Sequence, residues 1–152
     1  MQNYNDETGV IFWDIPYSEG ELKVIGLDAN NKEVSSYEIR SSSQPYALKI
    51  ISEEQTIDKE GVAQVIVQVF DKDGIPVMLS DNEVTCDISN GELLGLEGSN
   101  NSDMSNYTDN KHRVYHGRII AFIKPSDDKA NDIRVRFTSP WLKSAETTIK
   151  IK

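Results

Sequence analysis

At 152 residues, with 38% hydrophobic and 27% charged content, the chain can form one ordinary domain, or one domain and a fragment of another, around a core of its own. A net charge of −9 repels phosphate backbones and anionic lipid, which argues against a nucleic-acid partner and against electrostatic membrane binding; no apolar run approaches the ~18 residues of a membrane span, so membrane insertion is not expected. The opening MQNYNDETGV has neither a basic nor an apolar signal region, so no signal peptide is expected, and the single cysteine, Cys86, cannot form an internal disulfide.

In chain order, residues 1–8 are polar and expected to fray. Val10 to Ile15 (VIFWDI) predicts a short apolar strand, with Phe12 or Trp13 in a core. Pro16 to Gly20 turns into a second strand, Glu21 to Asp28. Asn30-Asn31 is a hairpin signal, because Asn tolerates positive φ, and Lys32 to Arg40 is a third strand. Residues 9–42 are thus expected to be a three-stranded antiparallel β-meander. Ser41-Ser42-Ser43-Gln44-Pro45 is polar and ends in a residue without an N–H, so 43–45 reads as a linker.

The pattern restarts at Tyr46 to Ile51, with Gln55 to Ile57 as a continuation after a kink at Ser52-Glu53-Glu54. Strands follow at Val62–Phe70, Glu83–Ile88, Glu92–Leu96, Arg118–Lys124, Ile133–Thr138 and Thr147–Ile151. They are separated by turns at Asp58–Gly61, Asp71–Gly74, Asn90-Gly91, Pro125–Asn131 and Ser139-Pro140-Trp141. Helical periodicity is not sustained anywhere. Short strands with turn signals every 8–12 residues indicate an all-β fold, an immunoglobulin-like β-sandwich over 46–152. Period-2 alternation assigns Val65, Val67, Val69, Val84, Cys86, Ile88, Ile133, Val135, Phe137, Ile149 and Ile151 to the inside. A long polar loop, 98–111, is left as either a mobile excursion or a site.

The order of motifs resembles the C-terminal region of bacterial family 2 glycoside hydrolases of the β-galactosidase type. Trp13-Asp14-Ile15-Pro16-Tyr17, Gly20 and Leu22, then Lys32-Glu33-Val34 and Glu38-Ile39-Arg40-Ser41, look like the end of a β-sandwich module that follows the catalytic barrel. Val67 to Gly74, Asn90 to Gly95, Tyr115 to Arg118 and Leu142 to Ala145 are similar to the immunoglobulin-like module that comes next in those enzymes. The resemblance covers nearly the whole chain. It implies a non-catalytic accessory region whose partner is the rest of an exported hydrolase, periplasmic or at the cell surface. The catalytic glutamates of that family lie in the barrel, so the resemblance transfers no catalytic residue to this chain. It also implies that strands preceding Trp13 are needed to complete the first module.

The residue chemistry points the same way. Asp71-Lys72-Asp73-Gly74 opens like a calcium loop, but Ile75 and Asn82 occupy ligand positions, so a tight hairpin turn is expected. His112 and His116, four apart beside a strand, lack the helix that would pair them on a metal, and no third ligand is evident; no metal and no cofactor are expected. Cys86 alternates with apolar neighbours and reads as core. Asn100-Asn101-Ser102 and Asn106-Tyr107-Thr108 match the glycosylation acceptor by chance. Among 25 acidic residues, nothing pins a pair into a cleft. Trp141, Tyr107 and Tyr115 are the candidate carbohydrate contacts, since a flat aromatic face can stack on a sugar ring. The alternatives to an accessory role are therefore a carbohydrate-binding module or a cell-surface adhesion-type immunoglobulin-like module. The apolar residues of 9–42 are expected to be covered, by the sandwich or by self-association with a second copy.

Overall fold

The computed structural model of the chain describes residues 2, 3, 5, 7–51, 55–126 and 132–152. The expected kink at 52–54, most of the turn at 125–131 and part of the polar N-terminus lie outside them. The described residues are all-β, with eleven strands: β1 (Glu21–Leu27), β2 (Glu33–Arg40), β3 (Ala47–Ile50), β4 (Thr56–Ile57), β5 (Ala63–Phe70), β6 (Glu83–Ser89), β7 (Gly91–Glu97), β8 (Lys111–Arg113), β9 (Arg118–Pro125), β10 (Ile133–Thr138) and β11 (Ala145–Ile151). They form two compact units, Met1–Ser41 and Ser42–Lys152.

The first unit holds one antiparallel hairpin, β1 with β2, in the register Leu22 opposite Ile39 and Val24 opposite Tyr37. Asp28 closes it. Its Oδ1 accepts from the Asn30 and Lys32 N–H groups, and Asn31 takes the positive φ that the turn demands. The first strand expected of the meander, Val10 to Ile15, is absent, which leaves two of the three. That segment joins no ladder, and Pro16 removes a donor where pairing would continue. Neither Phe12 (80% exposed) nor Trp13 (46%) is in a core, so that expectation is corrected as well. An isolated pair of strands has too few neighbours to enclose large side chains.

The second unit is a sandwich of a five-stranded sheet, ordered β4-β11-β10-β6-β8, on a four-stranded sheet, ordered β3-β5-β9-β7. Pairing is antiparallel except between β4 and β11. The segment expected to continue β3 instead changes sheet, since β3 pairs with β5 and β4 with β11. The inner faces bury Ala63, Val65, Val67 and Val69 of β5, Ile119, Ala121 and Ile123 of β9, Val84 and Cys86 of β6, Ile133, Val135 and Phe137 of β10, and Ile149 of β11. Ile88 and Ile151, expected inside, reach only the rim and are half-buried against this core. Burial pushes the Cys86 thiol up to about 12, with the Asp87 charge adding to it, so the group stays a protonated hydrophobe.

Strand β8 was hidden in the sequence by the polar run before it. It pairs with β6, Val84 opposite His112, and turns His112 inward.

Candidate functional site

Strand directions gather five connections at one end of the sandwich: the lead-in 42–46, the crossing 71–82, the start of the loop after Glu97, the turn 114–117 and the turn 139–144. β5, β7 and β10 finish there, and β3, β6, β9 and β11 begin there. Asp71 ties two of these connections together. Its Oδ2 accepts from the Ser43 N–H (2.9 Å) and hydroxyl, and its Oδ1 from the N–H groups of Asp73 and Ile75 (2.7 Å). These donors, the Ser43 N–H foremost, hold the carboxyl below its usual range against the opposing effect of burial. The expected hairpin turn is therefore present, and its first carboxylate also fastens the lead-in.

Trp141 stands at this end. Ser139-Pro140-Trp141-Leu142 is a β-turn closed by the Leu142 N–H on the Ser139 carbonyl, with Pro140 second and Trp141 third at φ 67°. Glycine or Asn ordinarily occupies that third position, because a Cβ there crowds the backbone. The turn is nonetheless firmly held. The Ser139 hydroxyl donates to the Glu83 carbonyl at 2.7 Å, Leu142 half-buries against the core, and Lys143 bonds to the backbone of both Tyr46 and Leu48. The Trp141 side chain is 99% exposed.

Tyr115 lies at the same end, part-exposed, edge-on to the His116 ring with ring centres 4.2 Å apart. Tyr107 is elsewhere. The 98–110 loop folds back along β7, the Leu96 N–H donates to the Tyr107 carbonyl at 2.7 Å, and the Tyr107 ring covers Gly95. A Cβ on Gly95 would come 3.0 Å from that ring and 3.1 Å from the Tyr107 carbonyl, so glycine is what lets the ring lie flat. A shallow depression lined by Val62, Leu94, Phe122 and Tyr107 results, and its walls are almost wholly apolar. The three aromatics therefore do not converge on one sugar site: Trp141 and Tyr115 share an end, while Tyr107 belongs to the outer side of the four-stranded sheet.

The same loop carries a constellation that the sequence did not reveal. The buried His112 ring donates from Nδ1 to the Arg113 carbonyl (2.9 Å). Its Nε2 meets the Ser105 hydroxyl at 3.0 Å and Asp103 Oδ2 at 3.4 Å. A serine beside a histidine base invites comparison with a nucleophile. Here, however, the Asp103 carboxylate, held below its usual range chiefly by the Ser105 N–H, contacts the same Nε2 that would have to take the serine proton, and Nδ1 is bonded to a backbone carbonyl in place of an orienting carboxylate. The cluster is a latch that fastens the loop to β8.

Carboxylates do meet in a depression of about 730 Å³ on the outer face of the five-stranded sheet, where Asp87 and Glu146 flank Arg136. Glu146 is bound to the Arg136 guanidinium at 3.1 Å, and both lie on open strand surface. A glycosidase pair must instead face each other across a bound sugar. Among the described residues, no group of three or more His, Cys, Asp or Glu side chains could hold a metal ion.

The sequence profile of the glycoside hydrolase family 2 C-terminal domain 5 matches residues 47–148, which is the sandwich. A family 2 glycosyl hydrolase from Bacteroides cellulosilyticus superposes with a TM-score of 0.87 over 100% of this chain, at 20% identity. A β-glycosidase from Bacteroides vulgatus does so with 0.82 over 94%, at 22% identity, and a β-glucuronidase from the same hydrolase family with 0.74 over 93%, at 20%. The chain spans about a fifth of the length of these structures, 20%, 19% and 15% respectively. Comparison with curated protein sequences gives no match.

Proposed function

We propose, because this chain belongs to the glycoside hydrolase family 2 C-terminal domain 5 family, that it serves a bacterial hydrolase as a non-catalytic accessory region, holding modules in place beside a catalytic barrel. The match over 47–148 carries this reading. The open setting of Asp87 and Glu146, the latter bound to the Arg136 guanidinium, supports it from the chemical side. The parent activity proposed is hydrolysis of terminal β-galactosides, in the periplasm or outside the cell. A β-glucuronidase stands among the structural neighbours, so the test must separate the two sugars. The purified 152-residue chain is expected to turn over neither aryl β-galactosides nor aryl β-glucuronides, whereas the longer parent hydrolyses the galactoside. Turnover by the short chain that one carboxylate substitution abolishes would overturn the accessory role. A parent active only on glucuronides would overturn the galactoside assignment.

The partner of the first unit follows from its exposure. Leu22, Val24, Tyr37 and Ile39 share one face of the hairpin and are all exposed, as are Ile15 and Tyr17 beside them. Apolar surface of this extent, on two strands with free edges, calls for cover. We assign that cover to preceding strands of the parent and, in their absence, to a second copy of the chain. Sedimentation is expected to show the 152-residue chain associating as concentration rises, and a version lengthened by the parent's preceding strands remaining monomeric. A short chain that stays monomeric with its hairpin intact would refute this.

A further inference from the structure

We propose that the end of the sandwich carrying Trp141 and Leu79 is a docking surface for the remainder of the parent hydrolase. This rests on the accessory reading above and adds where the module is gripped. Leu79, in the crossing from β5 to β6, is 94% exposed, and Met78 beside it is also exposed. With Trp141 they place three large apolar side chains at one end of one unit. The backbone that carries them is held. The Val77 N–H donates to the Val69 carbonyl, the Ser80 N–H to the Val77 carbonyl and the Gly117 N–H to the Ser80 carbonyl, so the backbone on both sides of Met78-Leu79 is fixed.

Trp141 is the sharper case. Evolution of a turn under stability alone would put Gly or Asn at φ 67°, yet the site holds the largest apolar side chain, almost entirely in water. Backbone strain that supports an exposed aromatic on a rigid turn is the arrangement of an interface anchor, which binds without losing freedom at the moment of contact.

The occupant follows from two further facts. The lead-in 42–46 reaches the sandwich at this same end, and Tyr46 exchanges backbone and ring contacts with Lys143, two residues past the tryptophan. The structural relatives are about five times longer than this chain, and the family is a C-terminal domain, so most of the parent lies on the N-terminal side, where the lead-in comes from. A sugar fits less well, because a ring that is 99% exposed has no wall of polar groups to hold the hydroxyls.

Oxidative footprinting tests this on the 152-residue chain and the full-length parent at matched concentration. Trp141 and Met78 are expected to oxidise at least about tenfold more slowly in the parent, since access there requires the interface to open. A Trp141→Asn variant supplies the second arm, because Asn accepts positive φ. In the short chain it is expected to leave Tm unchanged or raise it by about 2–4 °C, and in the parent to lower Tm and speed proteolytic release of this region. Equal oxidation in both proteins overturns the proposal. So does protection that grows with concentration in the short chain alone, which would make the occupant a second copy. Protection that depends on added galacto-oligosaccharide would make it a sugar. A parent without glycosidase activity sinks the accessory reading, whereas an active parent with a freely oxidised Trp141 sinks only the docking surface.

Discussion

A Phe137→Ala variant is expected to lose about 3–5 kcal/mol of unfolding free energy, measured by denaturant titration of the 152-residue chain. Phe137 is the largest of the fully buried side chains. Its neighbours across the ladder are small, with Cys86 opposite on β6 and Ala145 opposite on β11. The five-stranded sheet thus accommodates one ring by keeping the residues on either side short. Truncating it opens a cavity that neither neighbour is long enough to fill, and the loss is the transfer term plus the cavity term. Ile151→Ala, at the half-buried rim, is the internal comparison and should cost clearly less. Equal losses at the two sites would show that the core is not centred on Phe137.

Gly117→Ala is expected to be nearly as damaging, by about 2–5 kcal/mol, although it only adds a methyl group. Tyr115 and Arg118 exchange both backbone hydrogen bonds across a two-residue turn, with His116 at φ 49° and Gly117 at φ 71°. An alanine at the second position meets the unfavourable left-handed conformation and also runs into the Val77 carbonyl. That carbonyl cannot retreat cheaply, because it accepts from Ser80 and the Val77 N–H is bonded to Val69. The variant should therefore also raise hydrogen exchange at Val77 and Ser80. A loss below about 1 kcal/mol, with exchange unchanged, would mean that the crossing moves aside freely.

The strands of the sandwich were legible because a strand buried on one face has to alternate. Ile133, Val135 and Phe137 against Arg134, Arg136 and Thr138 allow one register only, since a slip of one residue would bury two arginines. Strand β8 was not legible. Three residues are too short for a period to show, and a buried histidine looks polar on the page until Ser105, Asp103 and the Arg113 carbonyl are found around it. The failure at Val10 to Ile15 has the opposite cause. The composition there is right for a strand, but a strand requires a partner, and the described residues offer it none.

The candidate site divides in the same way. An exposed Trp141 was foreseeable from its place after Pro140 at a turn, where the side chain is carried away from the sheet. Its positive φ and its placement beside the lead-in were not, nor was the separation of Tyr107 from Tyr115, eight positions apart yet on different surfaces. By itself, then, the sequence determined the all-β class, most strand positions and most of the inward set, because these depend on period and turn chemistry within a few residues. Only the tertiary structure decided which connections share an end, which strand changes sheet and which aromatics stand together. Those depend on pairings between residues far apart in the chain, such as β3 with β5 or Ser139 with Glu83, and no local pattern records them.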